Sequence, residues 1–354
     1  RAAGRGNGSP TLVTPERESV RLAVLRAVAE SSRLGSAGAG RPAGLLGPWT
    51  GHLRDPVVLA ELAKRFGPDR IWSASQLECW GQNPFLFLIQ RVLYLEEKLE
   101  VDDEANVMVR GSVAHRLLER FLGDVKGELP APFAGLASRF DRIAAEVFAE
   151  YEQDGKTWLG LRHLWRIRRE VILEMVREYL EWDFEKKQKK WLPHQLELAF
   201  GDDDRPTFVE GTALDGTATR IRLRGRIDRL DIALPKGEDI LVIDYKSSTT
   251  PSPAGYLDGA VLQGPLYTSA LAGLGIRAAT AEYRSIKTRK TGAAIDLTDP
   301  DCQRAITLAL SMPALIRSGR FEPRAARSTG WRGYWPGGLA LFRAEAKEEG
   351  SRFE

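Results

Sequence analysis

Hydrophobic positions along the chain repeat first with the period of a helix and then with that of a strand, and the change falls near residue 192. From Ile71 onward, Leu86, Ile89 and Leu93 recur at helical spacing, as do Val113, Leu117 and Phe121, and a longer series holds Trp165, Ile172, Met175 and Leu180 within 161–190. Each series predicts a helix with one inward face. Ser73-Ala74-Ser75 precedes the first, and Ser75 with Glu78 three residues on predicts a capping box. Residues 196–200, 207–213, 219–233 and 240–246 then read as strands with turn residues between them. A helix over about 257–274, a strand over about 279–287 ending near the turn Arg289-Lys290-Thr291-Gly292, and a helix over 299–318 complete the pattern. A helical region followed by strands interrupted by one helix predicts an α/β fold, a mixed β-sheet flanked by helices with a helical region before it.

The segments before Ile71 carry little periodicity. Residues 1–18 and 31–46 are rich in Gly, Ala and other small or polar residues and read as linkers, with one short helix expected over 15–30. The expected division is a linker and short helical extension over 1–70 and one domain over 71–354. Within that domain, 71–192 are helical, 193–290 form the α/β core, and 291–354 hold a last helix and a tail.

Composition narrows the class. The 43% hydrophobic content is that of an ordinary globular chain, and no apolar run approaches a membrane span. Two cysteines, Cys79 and Cys302, cannot make a disulfide framework, so a reducing cytoplasm is the simple expectation. The chain opens on Arg1 without a methionine and is read as a piece of something longer. A net charge of +3 says little, but Arg and Lys concentrate in 156–190 and 317–343. Such patches suit a phosphate backbone, although a solvated helix face accounts for the first equally well.

Chemistry-bearing residues gather at strand ends. In Arg222-Leu223-Arg224-Gly225-Arg226-Ile227-Asp228, alternation puts the three arginines and Asp228 on one face. The next strand, Leu241-Val242-Ile243-Asp244-Tyr245-Lys246, starts as a buried central strand yet ends with Asp244 and Lys246 on one face. A carboxylate and an ammonium there are costly unless paired or holding a metal. The segment around Pro235 reads as a hairpin turn, which would bring Asp228 near Asp244. Two carboxylates and a lysine suit phosphodiester hydrolysis: the acids can hold Mg²⁺ or Mn²⁺, and the lysine can orient or deprotonate the attacking water. A simple Asp244–Lys246 salt bridge is the alternative.

Gly225-Arg226-Ile227-Asp228-Arg229-Leu230-Asp231 followed by Asp244-Tyr245-Lys246-Ser247 resembles the core motif of the PD-(D/E)xK nucleases. Among them it is most similar to the RecB/AddB-type nuclease domain of helicase–nuclease recombination complexes. Ser73-Ala74-Ser75-Gln76-Leu77-Glu78 with Pro84-Phe85 resembles that group's opening helix, Gly111-Ser112-Val113-Ala114-His115 its histidine motif, and Gln263-Gly264-Pro265-Leu266-Tyr267 its Gln-xxx-Tyr motif. The ordered set spans about 71–321. The resemblance implies a restriction-endonuclease-like core and catalytic roles for Asp228, Asp244, Lys246, Gln263 and Tyr267. It implies a metal held by His115, Asp228, Asp244 and the carbonyl of Tyr245. It also implies DNA, single-stranded by expectation, as substrate and a helicase as partner. Taken without the resemblance, His115 reads as a structural helix residue, Tyr267 as a packing residue and Gln263 as solvated. Glu197 is a further candidate for metal or water contact, equally readable as a charged strand residue. The rival functional readings are an inactive nuclease-fold module that binds DNA or docks a helicase, and a nuclease acting on RNA.

The pattern departs from many relatives in one respect. Their iron–sulfur cluster needs four cysteines, one just before the Pro-Phe of the opening helix and three near the C-terminus. Here Asn83 precedes Pro84, and 328–343 contain no cysteine. No iron–sulfur cluster is expected. Instead Trp331, Tyr334, Trp335, Leu339, Leu341 and Phe342 are expected to pack near Cys79, Asn83 and Phe87, with stacking on DNA bases as the alternative.

Overall fold

A computed structural model describes residues 51–95, 103–154, 159–188, 190–235, 239–276 and 278–322. The helix expected over 15–30 and the aromatic tail after 328 lie outside these residues. Five strands form a mixed sheet in the order β2 (Trp191–Phe200), β5 (Gly225–Ala233), β6 (Ile240–Lys246), β7 (Ala278–Ser285) and β8 (Lys290–Thr291). β6 and β7 run parallel, and the other neighbours are antiparallel. A second sheet has the order β1 (Ile71–Trp72), β4 (Ala218–Leu223) and β3 (Thr207–Thr212). The α/β class is the expected one, and the β5–β6 pairing is the hairpin anticipated around Pro235.

Helices cover both faces of the larger sheet. On one side lie α4 (Asp103–Val125), α5 (Ala137–Asp154) and α6 (Arg162–Lys186), whose core takes in Leu241, Ile243 and Tyr245. On the other lie α1 (Pro56–Arg65), α2 (Ala74–Gln82), α3 (Pro84–Phe87), α7 (Ala254–Asp258), α8 (Gln263–Gly273) and α9 (Pro300–Arg317), with the smaller sheet; their core takes in Val242. β6 is therefore apolar at successive positions because both its faces are covered, as in parallel α/β sheets.

The inward residues expected on α4 and α6 are all buried. Elsewhere the structure corrects the pattern. The capping box of α2 is Ser73 with Gln76, not Ser75 with Glu78. After α3 the chain makes a π-helical turn, Leu88–Val92, and Leu93 is left exposed. The stretch expected as one helix over 257–274 is broken between α7 and α8, where Gly259 takes a left-handed φ of 70°. The strand expected over 219–233 is divided at Arg224, whose N–H donates to the Trp72 carbonyl while Gly225 pairs with Phe200. The arginine row is thus split: Arg222 lies in the smaller sheet, paired with Asp203, and Arg226 lies in the larger one. Among the described residues, α5 and α1 lie outside the expected set. α5 buries Phe140, Ile143, Ala144, Val147 and Phe148 at helical spacing, and α1 sends Leu62 into the core, joined by Phe66 just beyond its end.

Candidate active site

The site residues sit at one end of the central strands. β5 and β6 pair with Arg229 opposite Ile243, which sets Asp228 beside the end of β6. The Tyr245 backbone N–H donates to Asp228 Oδ2 at 2.8 Å. From the helical layer, α4 brings His115 on the flank of its buried Val113/Leu117/Phe121 stripe, with Nδ1 3.5 Å from the same oxygen. The His115 ring stands edge-on to Tyr245 at 5.8 Å. Glu197 arrives from β2, whose pairing (Leu196 with Arg229, Leu198 with Ile227) puts it across from Asp228. It holds a φ of 50°, a conformation that costs a non-glycine residue energy and recurs at functional sites.

One ligand atom each from His115, Glu197 and Asp228 lie within 4.8 Å of one another. An imidazole nitrogen and two carboxylates form a donor set that fits a hard divalent cation. Asp244 is not in that trio; its Oδ2 makes a 2.6 Å ion pair with Lys246 Nζ. That oxygen is buried and takes its charge-assisted contact from Lys246; a carboxylate oxygen with one such partner still has a lone pair to offer. Lys246 Nζ also donates to Gln263 Oε1 at 2.9 Å. Tyr267, one turn further along α8, packs edge-on against Phe200 at 5.1 Å. The two rings leave no room for a side chain at residue 225: a Cβ there would lie 2.7 Å from each. His52, His163 and His194 take no part in the trio.

Charge and burial set the protonation states. Burial, opposed by Lys246 and reinforced by Asp228, pushes the Asp244 carboxyl up to about 6. Burial and the neighbouring Asp228 also raise Glu197. For His115, burial favours the neutral ring, but Asp228, Asp244 and Glu197 outweigh it and raise its pKa. Burial likewise works against the Lys246 ammonium, and Asp244 more than offsets it, so Lys246 keeps its proton. Beside this group opens a cleft lined by Gly111, Ser112, His115, Arg116, Glu119, Tyr151, Glu197 and Arg226.

A buried ion cluster lies under the α4–α6 layer, on the sheet face that carries Tyr245. Arg229 donates to both Asp231 oxygens at 2.5 and 2.7 Å, to Asp183 Oδ2 at 2.8 Å and to the Tyr245 hydroxyl at 3.2 Å. Arg284 donates to Asp183 Oδ1 at 2.7 Å and to Glu282 at 2.5 Å. Arg229, Arg284, Asp183 and Asp231 have no exposed side-chain surface. Burial alone would raise the Asp183 carboxyl, but the two arginines hold it below its usual value; at Asp231 burial prevails. The cluster fixes Tyr245, which lies between Asp244 and Lys246 in sequence.

Sequence reasoning missed the part played by Glu78. Its Oε1 accepts from the N–H groups of Leu262 and Gln263 at 2.7 and 2.9 Å. The signal is indirect: α8 begins after Leu262, which has no side-chain oxygen to cap it.

The chain resembles known proteins in the same terms. Three relatives each bear the name of a subunit of an ATP-dependent helicase/deoxyribonuclease. That of Moorella thermoacetica is 28% identical over 228 residues, covering 61% of this chain and 19% of the relative. The Lactobacillus gasseri protein is 26% identical over 223 residues, with 57% and 18% covered. For Leuconostoc mesenteroides the figures are 26% over 192 residues, with 52% and 15% covered. The chain thus spans less than a fifth of the length of these relatives. The family model described as PD-(D/E)XK nuclease superfamily matches residues 71–330, a stretch that takes in every candidate residue above, and the chain belongs to that superfamily.

Proposed function

We propose that this chain is a metal-dependent deoxyribonuclease that hydrolyses phosphodiester bonds in DNA end processing or recombinational repair. The observation that carries the reading is the convergence of His115, Glu197 and Asp228 within 4.8 Å, with Asp244 and Lys246 at the neighbouring strand end. His115, Glu197 and Asp228, with the Asp244 carboxylate and the Tyr245 carbonyl, would hold Mg²⁺ or Mn²⁺. Such an ion supplies Lewis acidity and lowers the pKa of water.

The chain's own residues supply the rest. Lys246 Nζ, 2.6 Å from Asp244 at the strand end, is placed to orient or deprotonate the attacking water and to offset charge developing on the phosphate. Gln263 holds its ammonium in place. Tyr267 packs behind Gly225 and fixes the start of β5, which carries Arg226 and Asp228. Arg226, largely exposed at the cleft, suits contact with the phosphate backbone.

The names of the relatives join a helicase to a deoxyribonuclease, which supports DNA handed over by a helicase. The substrate in this reading is a single strand, cut in the cytoplasm. The test is cleavage of end-labelled single-stranded DNA, double-stranded DNA and RNA in Mg²⁺, Mn²⁺ and EDTA. Metal-dependent cutting of single-stranded DNA is expected. Cutting confined to RNA would move the chain to another substrate, and no cutting in either metal would favour a binding module.

A further inference from the structure

Glu78 lies outside the His115/Glu197/Asp228 trio, yet one unbroken chain of contacts joins it to Lys246. Its Oε1 accepts from the Leu262 and Gln263 N–H groups at 2.7 and 2.9 Å, and the Gln263 side chain accepts from Lys246 Nζ at 2.9 Å. A helix start leaves several N–H groups without intrahelical partners, and α8 has no cap of its own. Glu78 satisfies two of them from another helix, and the Tyr283 hydroxyl satisfies the next, that of Gly264, at 2.9 Å. This helix start is therefore taken up by the protein itself. What it fixes is the backbone from which Gln263 reaches Lys246.

The surroundings make this a rigid joint. α2 lies so close to the turn before α8 that a Cβ on Gly81 would fall 1.9 Å from the Gly259 carbonyl oxygen. Gln82 Nε2 donates to the Ala260 carbonyl at 3.2 Å. Thus α2 grips 259–263 at three successive places, of which Glu78 is the nearest to the site. Lys246 needs such control. Its ammonium sits between Asp244 at 2.6 Å and Gln263 at 2.9 Å, and without the amide oxygen it would be drawn to the carboxylate alone.

We propose that Glu78 is a positioning residue for the reaction: by capping α8 from α2 it sets Gln263, and through Gln263 the place of the Lys246 ammonium. The proposal rests on the reading of Lys246 as the group that acts on the attacked phosphodiester.

The test uses the whole chain and an end-labelled single-stranded oligonucleotide with Mn²⁺. Glu78→Ala should lower kcat about 10- to 100-fold, the cost of a small misplacement at a reacting centre, and leave KM within about twofold. Glu78→Gln keeps an oxygen that can accept both N–H groups and should retain most of kcat. Glu78→Asp keeps the charge but is one methylene short and should lose about as much as alanine. If Glu78 acts through Gln263, the Glu78→Gln/Gln263→Ala double variant should match Gln263→Ala, and Glu78→Ala should add nothing further to that loss. Should Glu78→Ala fail to fold, the comparison of Gln with Asp decides. The proposal is overturned if Glu78→Ala melts earlier but keeps its kcat, if its loss adds in full to that of Gln263→Ala, or if Asp is active and Gln is not. The last result would mean that charge, not position, matters. Full cleavage by Lys246→Ala would instead refute the reading of Lys246 itself.

Discussion

The backbone N–H of Tyr245 donates to the side chain of Asp228 at 2.8 Å, tying the acid of one strand to the main chain of the next. The same Asp228 oxygen lies 3.5 Å from His115 Nδ1. The candidate metal site, the strand register and the helical layer therefore meet on one atom, and the expectations below follow from that meeting.

Removal of either His115 or Glu197 should weaken Mn²⁺ binding. Each belongs to the trio within 4.8 Å, and Glu197 keeps a backbone conformation unfavourable for its type. Calorimetric titration of His115→Ala and Glu197→Ala should show affinity lower by about 10-fold or more, the scale seen when groups around a metal are lost. Wild-type affinity in Glu197→Ala would reduce that residue to a strand position with no ligand role.

Metal affinity should rise with pH across the neutral range. Asp244 is pushed up to about 6 and His115 is raised, and both must shed a proton to offer a lone pair to an ion. Affinity should climb steeply as pH rises toward 6 and keep climbing beyond it as His115 deprotonates. For stability of the metal-free chain the sign is the reverse. A raised carboxyl pKa favours the fold fully below the unfolded value of about 4, and that contribution is lost as pH rises through about 6. Mn²⁺ titrations at a series of pH values check the first statement, and a flat profile would contradict it. Melting curves without metal check the second.

Arg229 should matter for stability more than any surface arginine. Replacing it with Met leaves Asp183 and Asp231 buried without their main partner, which costs about 3–5 kcal/mol in comparable buried pairs. Chemical denaturation should show a loss of that order. Arg142→Met, which breaks an exposed pair with Glu146, should change stability by no more than about 0.5 kcal/mol. Equal effects would mean that the buried cluster is not a keystone of the sheet.

How far the sequence can be read depends on the range of the cause. Alternation and helical spacing are local, so β6, α4 and α6 emerge with their inward residues. The division of the strand at Arg224 is hidden, because alternation continues through it while the pairing partner changes from Trp72 to Phe200. α5 carries a local signal as well, in its Phe140–Phe148 spacing, although it is absent from the expected set.

For the candidate site, Asp228, Asp244 and Lys246 can be placed by the hairpin alone, whereas His115 needs the family resemblance. Glu197 reaches Asp228 through an unusual φ in β2, and Glu78 reaches α8 from 184 residues away along the chain. Neither contact leaves a periodic trace. Glu78 misleads for a physical reason: three residues after Ser75 it looks like the return half of a capping box, a role that Gln76 fills with Ser73.

The central claim, that this constellation hydrolyses DNA, is tested most directly by comparing wild type with Lys246→Ala and Asp244→Ala on end-labelled single-stranded DNA in Mn²⁺ and in EDTA. All three proteins should fold and bind the strand. Wild type should cut it in Mn²⁺ and not in EDTA, and both variants should lose cleavage by about 10²-fold or more. Cleavage by wild type in EDTA, or undiminished cleavage by both variants, would contradict the account.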